Sequence, residues 1–413
     1  MKLGDVANLE AAKYGKPLDG VRVLALEQMQ ALPYGTQLLA RLGADVVKVE
    51  MPGEGESGRG SMPSMTDSEG GQVGATYIRN NLNKRSIAID LKHPRGRDLI
   101  LQLAPHFDVI AENMRPGSME RLGLAYDDIA AVHPACIYLS VSGFGNAEGS
   151  PYREWPALAP VVEAMSGVYE MKRVDDQPPV VGPVGSMGDI AAALFSTIGV
   201  LAALCHRDRT GEGQYIDVAM LDATIAMTDI VTNFWSMGLS KGSVGPVIMH
   251  GFRASDGWFV LQVIREPQFA ALADFVGHPE WIDDPRFATR DGWIEHLEDV
   301  IRPAVEDWAR RLPKLEVCEQ LGAVGIAAGP CFTEEEVVKD PHVAARNMLV
   351  EIPRGDGVTQ PVLTPGNPIK LSKMTDGPDT MFPRVGEHTQ LVLREYLGLG
   401  DDEVASLRAD GVL

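Results

Sequence analysis

The chain has 413 residues, of which 45% are hydrophobic and 6% aromatic, and its formal net charge at pH 7 is −20. This length is greater than that of one typical domain, so we expect two or more core-forming units. The acidic balance argues against nucleic acid and anionic membranes as partners, because both attract basic surfaces. An anionic ligand must therefore be bound by a local cluster of lysines and arginines.

The cysteines, histidines and N-terminal residues predict a cytoplasmic protein without a metal. The four cysteines lie far apart and show no CxxC spacing, which argues against a disulfide framework or a zinc site. No other metal-ligand spacing occurs along the chain. The first residues contain no long apolar segment of the kind found in a secretory signal.

The first predicted elements form a βαβ unit. Val21–Leu26 predicts a buried strand, a break at 33–35 follows, Thr36–Ala44 predicts a helix and Asp45–Glu50 a second strand. Such units build a parallel sheet with ligand sites at the carboxyl ends of its strands. The glycine-rich loop at 52–61 lacks the spacing of a nucleotide-binding loop, so it predicts a surface loop.

The same alternation of strands and helices continues along the chain and predicts an α/β fold. The further strands are expected at Ser86–Asp90, Asp108–Glu112, Cys136–Val141, Tyr215–Ala219 and Trp258–Gln262, and the main helices at Arg95–Leu103, 190–206 and Thr389–Tyr396. Basic residues concentrate in one region, which could meet a phosphorylated ligand. They are Lys84, Arg85, Lys92, Arg95, Arg97, Arg115 and Arg121.

The most informative residues are Gly188 and Asp189, which precede an apolar helical segment. A helix that is hydrophobic on all faces is normally buried, and a buried carboxylate is costly without a partner. Two interpretations of Asp189 are open from the local sequence: an N-cap of the helix, or a nucleophile held at a fixed depth.

Several spaced motifs together resemble the family III CoA transferases, which include formyl-CoA and carnitine CoA transferases. The similarity runs from about residue 17 to the C-terminus in the family's order. The motifs are Pro17–Gly20, Gln30, Leu42–Glu50, Asn83–Ile87, Glu112-Asn113 with Pro116-Gly117 and Arg121–Gly123, Ser142–Gly145, Gly188-Asp189, Thr210–Gln214, Ala219–Ala223 and Gly386–Thr389.

This resemblance implies a large Rossmann-like domain with a parallel sheet made from both chain ends, a smaller inserted α+β domain, and an interlocked homodimer. The boundaries that we expect are 1–225 for the first part of the large domain, 226–240 for a linker, 241–333 for the small domain, and 334–413 for the return linker and the rest of the large domain.

The resemblance also assigns roles to individual residues. Asp189 would be the nucleophile and Gln30 would assist near the reacting carbonyl, while CoA would be bound by Lys92, Asn113, Met114, Arg121, Leu122 and Met220. The implied reaction moves CoA from an acyl-CoA donor to a carboxylic acid acceptor through a covalent aspartyl-CoA intermediate, with CoA as substrate and no tightly bound cofactor. An aspartate with its ordinary pKa of about 3.9 is ionised at pH 7 and needs no general base.

The chain departs from the formyl-CoA transferases at three places. Met51 replaces an arginine, Leu158-Ala159 replaces a tyrosine–glutamate pair, and a tetraglycine loop is missing. We therefore expect a more apolar acyl pocket. An α-methylacyl-CoA racemase of the same fold is the first alternative, although Leu158-Ala159 stands where the racemases carry a His-Asp acid/base dipeptide. A non-catalytic acyl-CoA-binding protein is the second.

Overall fold

The computed structural model describes residues 1–147, 149–171, 173–174, 176–182, 185–239 and 245–413. The chain forms two compact units. Unit 1 consists of Met1–Thr232 and Ala344–Leu413, and unit 2 of Asn233–Val343. The first residues of the predicted small domain, 241–244, lie outside the described residues.

The first part of unit 1 alternates strands and helices. Its strands are β1 (Arg22–Leu26), β2 (Asp45–Glu50), β3 (Ser64–Thr66), β4 (Gln72–Gly74), β5 (Lys84–Ala88), β6 (Val109–Glu112), β7 (Ile137–Ser142) and β8 (Gln214–Ala219). Its α-helices are α1 (Leu9–Ala12), α2 (Ala31–Arg41), α3 (Ala75–Asn80), α4 (Pro94–Leu103), α5 (Ser118–Leu122), α6 (Tyr126–Val132), α7 (Ala159–Met165), α8 (Val168–Met171), α9 (Met187–Thr210) and α10 (Met220–Ala226).

Unit 2 has a small sheet covered by helices. Its strands β9 (Ile248–Ala254), β10 (Gly257–Val263) and β11 (Ala327–Pro330) pair antiparallel in the order β11-β10-β9. The helices that follow β10 are α11 (Glu266–Phe275), α12 (Arg290–Glu295), α13 (Arg302–Ala309), α14 (Lys314–Ala323), α15 (Glu334–Lys339) and α16 (Pro341–Ala345). Its buried core contains aromatic side chains, among them the stacked rings of Phe269 and Trp293.

The chain then returns to unit 1. This segment contains the antiparallel pair β12 (Leu349–Ile352) and β13 (Val362–Pro365), followed by α17 (Thr389–Leu397) and α18 (Asp401–Ala409). Short 3₁₀ or π turns occur at Ser57–Gly60, Ala104–His106, Ile230–Trp235, Pro279–Ile282, Pro285–Phe287 and Leu297–Ile301.

The centre of unit 1 is a six-stranded parallel sheet in the order β5-β2-β1-β6-β7-β8. Alternate residues of β1 enter two different cores: Val23 and Ala25 pack with helices α2 and α9, whereas Leu24 and Leu26 pack with α4, α17 and α18. A parallel sheet that is covered on both faces explains why most residues of its central strands β1 and β6 are apolar. The α/β architecture and a parallel sheet, both predicted from the sequence, are confirmed. The expectation that both chain ends build this sheet is corrected: all six strands lie between Arg22 and Ala219, and the C-terminal part contributes the helices α17 and α18, which pack on one face of the sheet.

Two local predictions about the first helix and the fifth strand are corrected. Residues 33–35 do not break the chain, because α2 begins at Ala31. Pro33 lies in its first turn, where a backbone N–H has no partner inside the helix and proline is tolerated. Gly35 lies against α9: a Cβ at this position would be 3.0 Å from the carbonyl oxygen of Ala193. The strand predicted at Ser86–Asp90 runs instead from Lys84 to Ala88.

The apolar helix α9 is only partly buried, which corrects the expectation of a helix buried on every face. It is long and apolar enough to cross a membrane, but half of its apolar segment is buried in the structure, as in the core helix of a folded domain. Ala191, Ala192 and Val200 are fully buried, whereas the side chain of Ile198 is 59% exposed. The helix runs from Met187 to Thr210 and so exceeds the predicted bounds of 190–206 at both ends.

Candidate active site

A cleft of about 380 Å³ opens at the carboxyl ends of β1, β6 and β7 in unit 1. Its walls come from the residues that follow β1 and β6, from the end of β7, and from the segment at 153–158. This is the edge at which parallel α/β sheets bind ligands. Five of the residues predicted for the site line this cleft together: Gln30, Asn113, Met114, Asp189 and Met220.

Asp189 lies in the first turn of α9 and is not the N-cap. The helix begins at Met187, so the cap position belongs to Ser186, and the N-cap interpretation of Asp189 is wrong. In the described residues, the Asp189 carboxylate forms no ion pair with a lysine or arginine. Burial raises the pKa of Asp189 to about 6, the nearby charge of Glu163 adds to the rise, and a hydrogen bond from Ser186 opposes it. The carboxyl group is therefore still mainly ionised at pH 7, but not by the margin that the ordinary pKa implied.

Gly188 brings the start of α9 close to α7. A Cβ at Gly188 would lie 2.7 Å from Cγ2 of Val162, so a larger residue would push the two helices apart. The Gly188 N–H donates to Oε1 of the buried Glu163 at 2.9 Å. The N–H of Ile190 is bonded to the carbonyl of Ser186. These two N–H groups already have acceptors, so they are not free to donate hydrogen bonds to an oxyanion.

Gln30 immediately precedes α2, and its side chain makes no hydrogen bond with the described part of the chain. It lines the cleft with its amide group available to a ligand. An amide donor placed near a reacting carbonyl is a suitable oxyanion stabiliser. This arrangement fits the role predicted for Gln30.

The loop that carries Gln30 is held by two side chains. The Asn113 amide oxygen accepts from the Gln28 N–H at 2.9 Å, and its amide nitrogen donates to the Gln28 carbonyl at 3.0 Å. The buried Glu56 accepts from the N–H of Met29 at 2.8 Å. Met29 has a φ of 62°, a conformation that is costly for a residue with a side chain. Asn113, predicted to bind CoA, thus shapes the loop that places Gln30.

Beneath this loop lies a buried cluster of ionised groups. Glu27 is fully buried, with Lys84 Nζ at 2.6 Å and Lys48 Nζ at 3.5 Å from its carboxylate. Burial alone would raise the pKa of Glu27, but the two lysines outweigh it and the pKa is lowered. Glu27 also accepts from the Thr36 hydroxyl at 2.7 Å, which ties the cluster to α2.

The basic region of the sequence therefore does not form one phosphate-binding patch. Lys84 is buried on Glu27, Arg85 pairs with Asp45 and Glu395, and Arg95 pairs with Asp410. Among the residues predicted to bind CoA, three do not line the cleft. Lys92 and Arg121 are exposed, with Arg121 donating to the Ser118 hydroxyl at 2.9 Å, and Leu122 packs partly against the core.

Arg115, which belongs to the basic region predicted from the sequence, lines the cleft. Arg153, Trp155 and Leu158 also line it, and the sequence did not single them out as site residues. Leu158 is one of the departures from the family pattern, and this departure therefore falls in the cleft. No periodicity or motif in the sequence marks the 153–158 segment as part of the site. Its position is set by packing among the rings of Phe144, Tyr152 and Trp155, which a sequence pattern does not show.

Comparisons with known proteins agree with this geometry. The model of CoA-transferase family III matches residues 18–389. A formyl-CoA:oxalate CoA-transferase of Streptomyces avermitilis is 34% identical over 96% of this chain and 100% of its own length. A succinyl-CoA–D-citramalate CoA-transferase of Chloroflexus aurantiacus is 33% identical over 96% of this chain and 98% of its own length.

The chain belongs to CoA-transferase family III. The crystal structure of a CaiB/BaiF family protein from Brucella suis is also similar, with a TM-score of 0.80 and 31% identity over 92% of this chain and 99% of that one. The protein is an enzyme that transfers CoA between acyl-CoA and carboxylic acids. The resemblance recognised in the sequence is confirmed, and the transferase is favoured over the racemase and the non-catalytic binding protein.

Proposed function

We propose that this CoA transferase uses Asp189 as its nucleophile and Gln30 as the group that stabilises the reacting carbonyl. The observation that carries the proposal is an aspartate without an ion-pair partner that lines the cleft together with an unbonded glutamine amide. A carboxylate that is desolvated and yet ionised at neutral pH is a suitable nucleophile, because it needs no general base.

The reaction follows from four additions to carbonyl carbons. The Asp189 carboxylate attacks the thioester of the donor, the C–S bond breaks, and a mixed anhydride forms while CoA thiolate leaves. The thiolate attacks the aspartyl carbonyl, which releases the donor acid as its carboxylate and leaves an aspartyl-CoA thioester. The acceptor carboxylate attacks this thioester and expels the thiolate. The thiolate then attacks the acceptor carbonyl of the new anhydride, which frees Asp189.

Each oxyanion in this sequence forms close to Asp189. The N–H groups of Gly188 and Ile190 already have partners, so the Gln30 amide is the donor that we assign to the oxyanion. Met114 and Met220 supply apolar walls for the pantetheine end of CoA. For Lys92, Arg121 and Leu122, a role at the nucleotide end of CoA rests on the family resemblance. The transferred acids differ among the relatives, so formyl-CoA and oxalate are not assigned to this chain.

We also propose that the enzyme is a homodimer in the cytoplasm. On α9, Leu194, Phe195 and Ile198 expose apolar side chains on one face, and a contiguous exposed apolar surface is typical of an interface. A monomer in sedimentation equilibrium at micromolar concentration would refute the dimer.

The covalent intermediate is the decisive test of the mechanism. We expect wild-type protein mixed with an acyl-CoA to gain one CoA joined as a thioester, visible as an intact-mass adduct that hydroxylamine removes. Asp189→Ala should form no adduct and lose at least about 10³-fold in turnover. Asp208→Ala, which removes an exposed carboxylate at the other end of α9, is the matched control and should behave like wild type.

Two results would contradict this mechanism. An adduct that persists in Asp189→Ala would place the nucleophile elsewhere. Exchange of deuterium at the α-carbon of the acyl group, without any adduct in the wild type, would support racemase chemistry instead.

A further inference from the structure

A single arginine side chain, Arg153, is built into the wall of the cleft without a full set of partners. Its Nε atom is buried and has no hydrogen-bond partner in the part of the chain that the structure describes. Its guanidinium Nη1 lies 3.6 Å from the carboxylate of Glu154, whose side chain is 73% exposed. An ion pair with such an exposed partner is weak, and a buried N–H that lacks an acceptor is costly. Arg153 therefore lacks a strong acceptor.

The segment that carries Arg153 has a fixed position. The ring of Tyr152 packs on Phe144 at 5.7 Å and on Trp155 at 4.8 Å between centroids. The backbone N–H of Trp155 donates to the carbonyl of Tyr152 at 2.8 Å, which closes a turn that contains Arg153. Gly143 lies so close that a Cβ there would be 2.0 Å from the Cβ of Ala157. Packing thus fixes the backbone on both sides of Arg153, whose side chain is 34% exposed.

The charge of the cleft has the opposite sign to that of the protein. Among the residues that line it, the ionisable ones are Arg115, Arg153 and Asp189, whereas the whole chain has a net charge of −20. A local positive potential in an acidic protein attracts anionic ligands. A monocarboxylic acid has one carboxylate, and that carboxylate is the group that reacts at Asp189. Such an acid therefore has no further negative charge that an arginine of the cleft could bind.

The remaining walls are suited to the carbon chain of an acid. Val141, Trp155, Leu158 and Met220 present apolar surface in the same cleft as Arg153 and Asp189. A guanidinium recognises a carboxylate with two parallel hydrogen bonds, and its planar fork is well suited to this geometry.

We propose that Arg153 binds the distal carboxylate of a dicarboxylic acid whose other carboxyl group carries CoA, so that the enzyme transfers CoA to and from dicarboxylates. Arg153 is then a specificity-determining residue for the acyl group. This inference rests on the proposed function, because it needs Asp189 to form the covalent intermediate.

The test uses thioesters that differ only in the distal carboxylate. Formation of the aspartyl-CoA adduct is followed by rapid-quench mass spectrometry with succinyl-CoA against butyryl-CoA and with glutaryl-CoA against pentanoyl-CoA. Wild type should prefer the dicarboxylic thioester in at least one pair. Arg153→Met should lower that preference by about 10- to 100-fold, the range for a charge-assisted hydrogen bond, mainly by slowing the dicarboxylic thioester. Arg153→Lys should fall between the two, because it keeps the charge but loses the fork.

The controls separate the possible failures. Arg408→Met, which removes an exposed arginine on α18, should leave the preference unchanged. An unchanged rate with butyryl-CoA shows that Arg153→Met is folded and keeps its nucleophile. No adduct in the wild type with any thioester would refute the proposed function itself. An adduct with an equal effect of Arg153→Met on both members of each pair would overturn this inference alone and indicate binding of the CoA moiety. A wild-type preference for the monocarboxylic thioesters would also overturn it.

Discussion

Two carboxylates of unit 1, the fully buried Glu27 and the half-buried Asp189, have opposite electrostatic surroundings. Glu27 follows β1 and lies between Lys48 and Lys84, which lower its pKa despite complete burial. Asp189 lies at the start of α9 without an ion-pair partner in the described residues, and burial raises its pKa to about 6. Burial raises the pKa of both groups, but only Glu27 has neighbouring lysines that outweigh this effect.

The difference separates a structural carboxylate from a reactive one. The charge of Glu27 is used inside the fold, where it binds two lysines and the hydroxyl of Thr36. The charge of Asp189 has no such use, so it is available to attack a carbonyl group. Groups whose environment raises their pKa often lie at functional sites for this reason. The following predictions test whether this distinction is real.

The largest effect on stability is expected for Glu27→Gln. This substitution leaves the buried Lys84 without its counter-ion and leaves Lys48 with Glu56 alone, 3.7 Å away. Removing one partner of a buried ion pair typically costs about 3–5 kcal/mol. Urea unfolding at pH 7.5 measures the loss. The matched control is Glu10→Gln, because Glu10 forms an exposed pair with Lys13 and should contribute less than about 1 kcal/mol. If Glu27→Gln lowers the free energy of unfolding by less than about 1 kcal/mol, Glu27 is not the structural carboxylate that distinguishes it from Asp189.

Asp189→Asn should have the opposite effect and stabilise the protein. The pKa of Asp189 is higher in the folded than in the unfolded chain, so folding binds a proton between about pH 3.9 and pH 6 and wild type loses stability as the pH rises through this range. Above about pH 6 the ionised Asp189 lowers the free energy of unfolding by a constant amount of about 1–3 kcal/mol. Asparagine carries no charge, so the variant does not lose this stability. We expect Asp189→Asn to be more stable than wild type at pH 7.5, with a smaller difference at pH 5.

The same urea experiment on Asp208→Asn gives the baseline for an exposed aspartate. A stabilised but inactive Asp189→Asn would be the signature of a residue kept for function at the expense of stability. A destabilised variant would instead indicate that the Asp189 charge holds the fold, as Glu27 does.

The sequence predicted the parallel sheet well, because strands buried on both faces have a simple apolar pattern. It failed where a residue's role depends on contacts with distant segments. Pro33 and Gly35 are typical of a chain break, yet the close approach of Ala193 makes Gly35 a helix-packing residue. Lys84 was predicted in a phosphate-binding region, but its partner Glu27 is 57 residues away.

The candidate site was predictable where a residue follows a strand or begins a helix, as Gln30, Asn113 and Asp189 do. The position of Arg153 was not, because it is set by rings at Phe144, Tyr152 and Trp155 rather than by a periodic pattern. The sequence indicated that Asp189 is held at a fixed depth but not how far its pKa is raised, because neither the degree of burial nor the approach of Glu163 can be read from it.

The smallest predicted effect concerns Glu163, which connects the two halves of the comparison because it is a buried carboxylate beside the reactive one. Its oxygens accept from the Gly188 N–H at 2.9 Å and from the Tyr169 hydroxyl. In Glu163→Gln, the amide oxygen can still accept from Gly188, while the NH₂ group donates to a rotated Tyr169 hydroxyl. The variant therefore removes the charge while leaving the start of α9 bonded.

Removing that charge should lower the pKa of Asp189, since Glu163 raises it, but burial is the larger cause and keeps the pKa above its ordinary value. Adduct formation requires the carboxylate, so its rate falls as the pH drops through the pKa of Asp189. We expect this acid limb to lie near pH 6 in wild type and to move down by less than about one pH unit in Glu163→Gln. Tyr169→Phe removes a hydrogen bond to Glu163 and leaves its charge, so its acid limb should not move to lower pH. An acid limb that stays in place in Glu163→Gln would mean that the charge of Glu163 does not contribute to the raised pKa of Asp189.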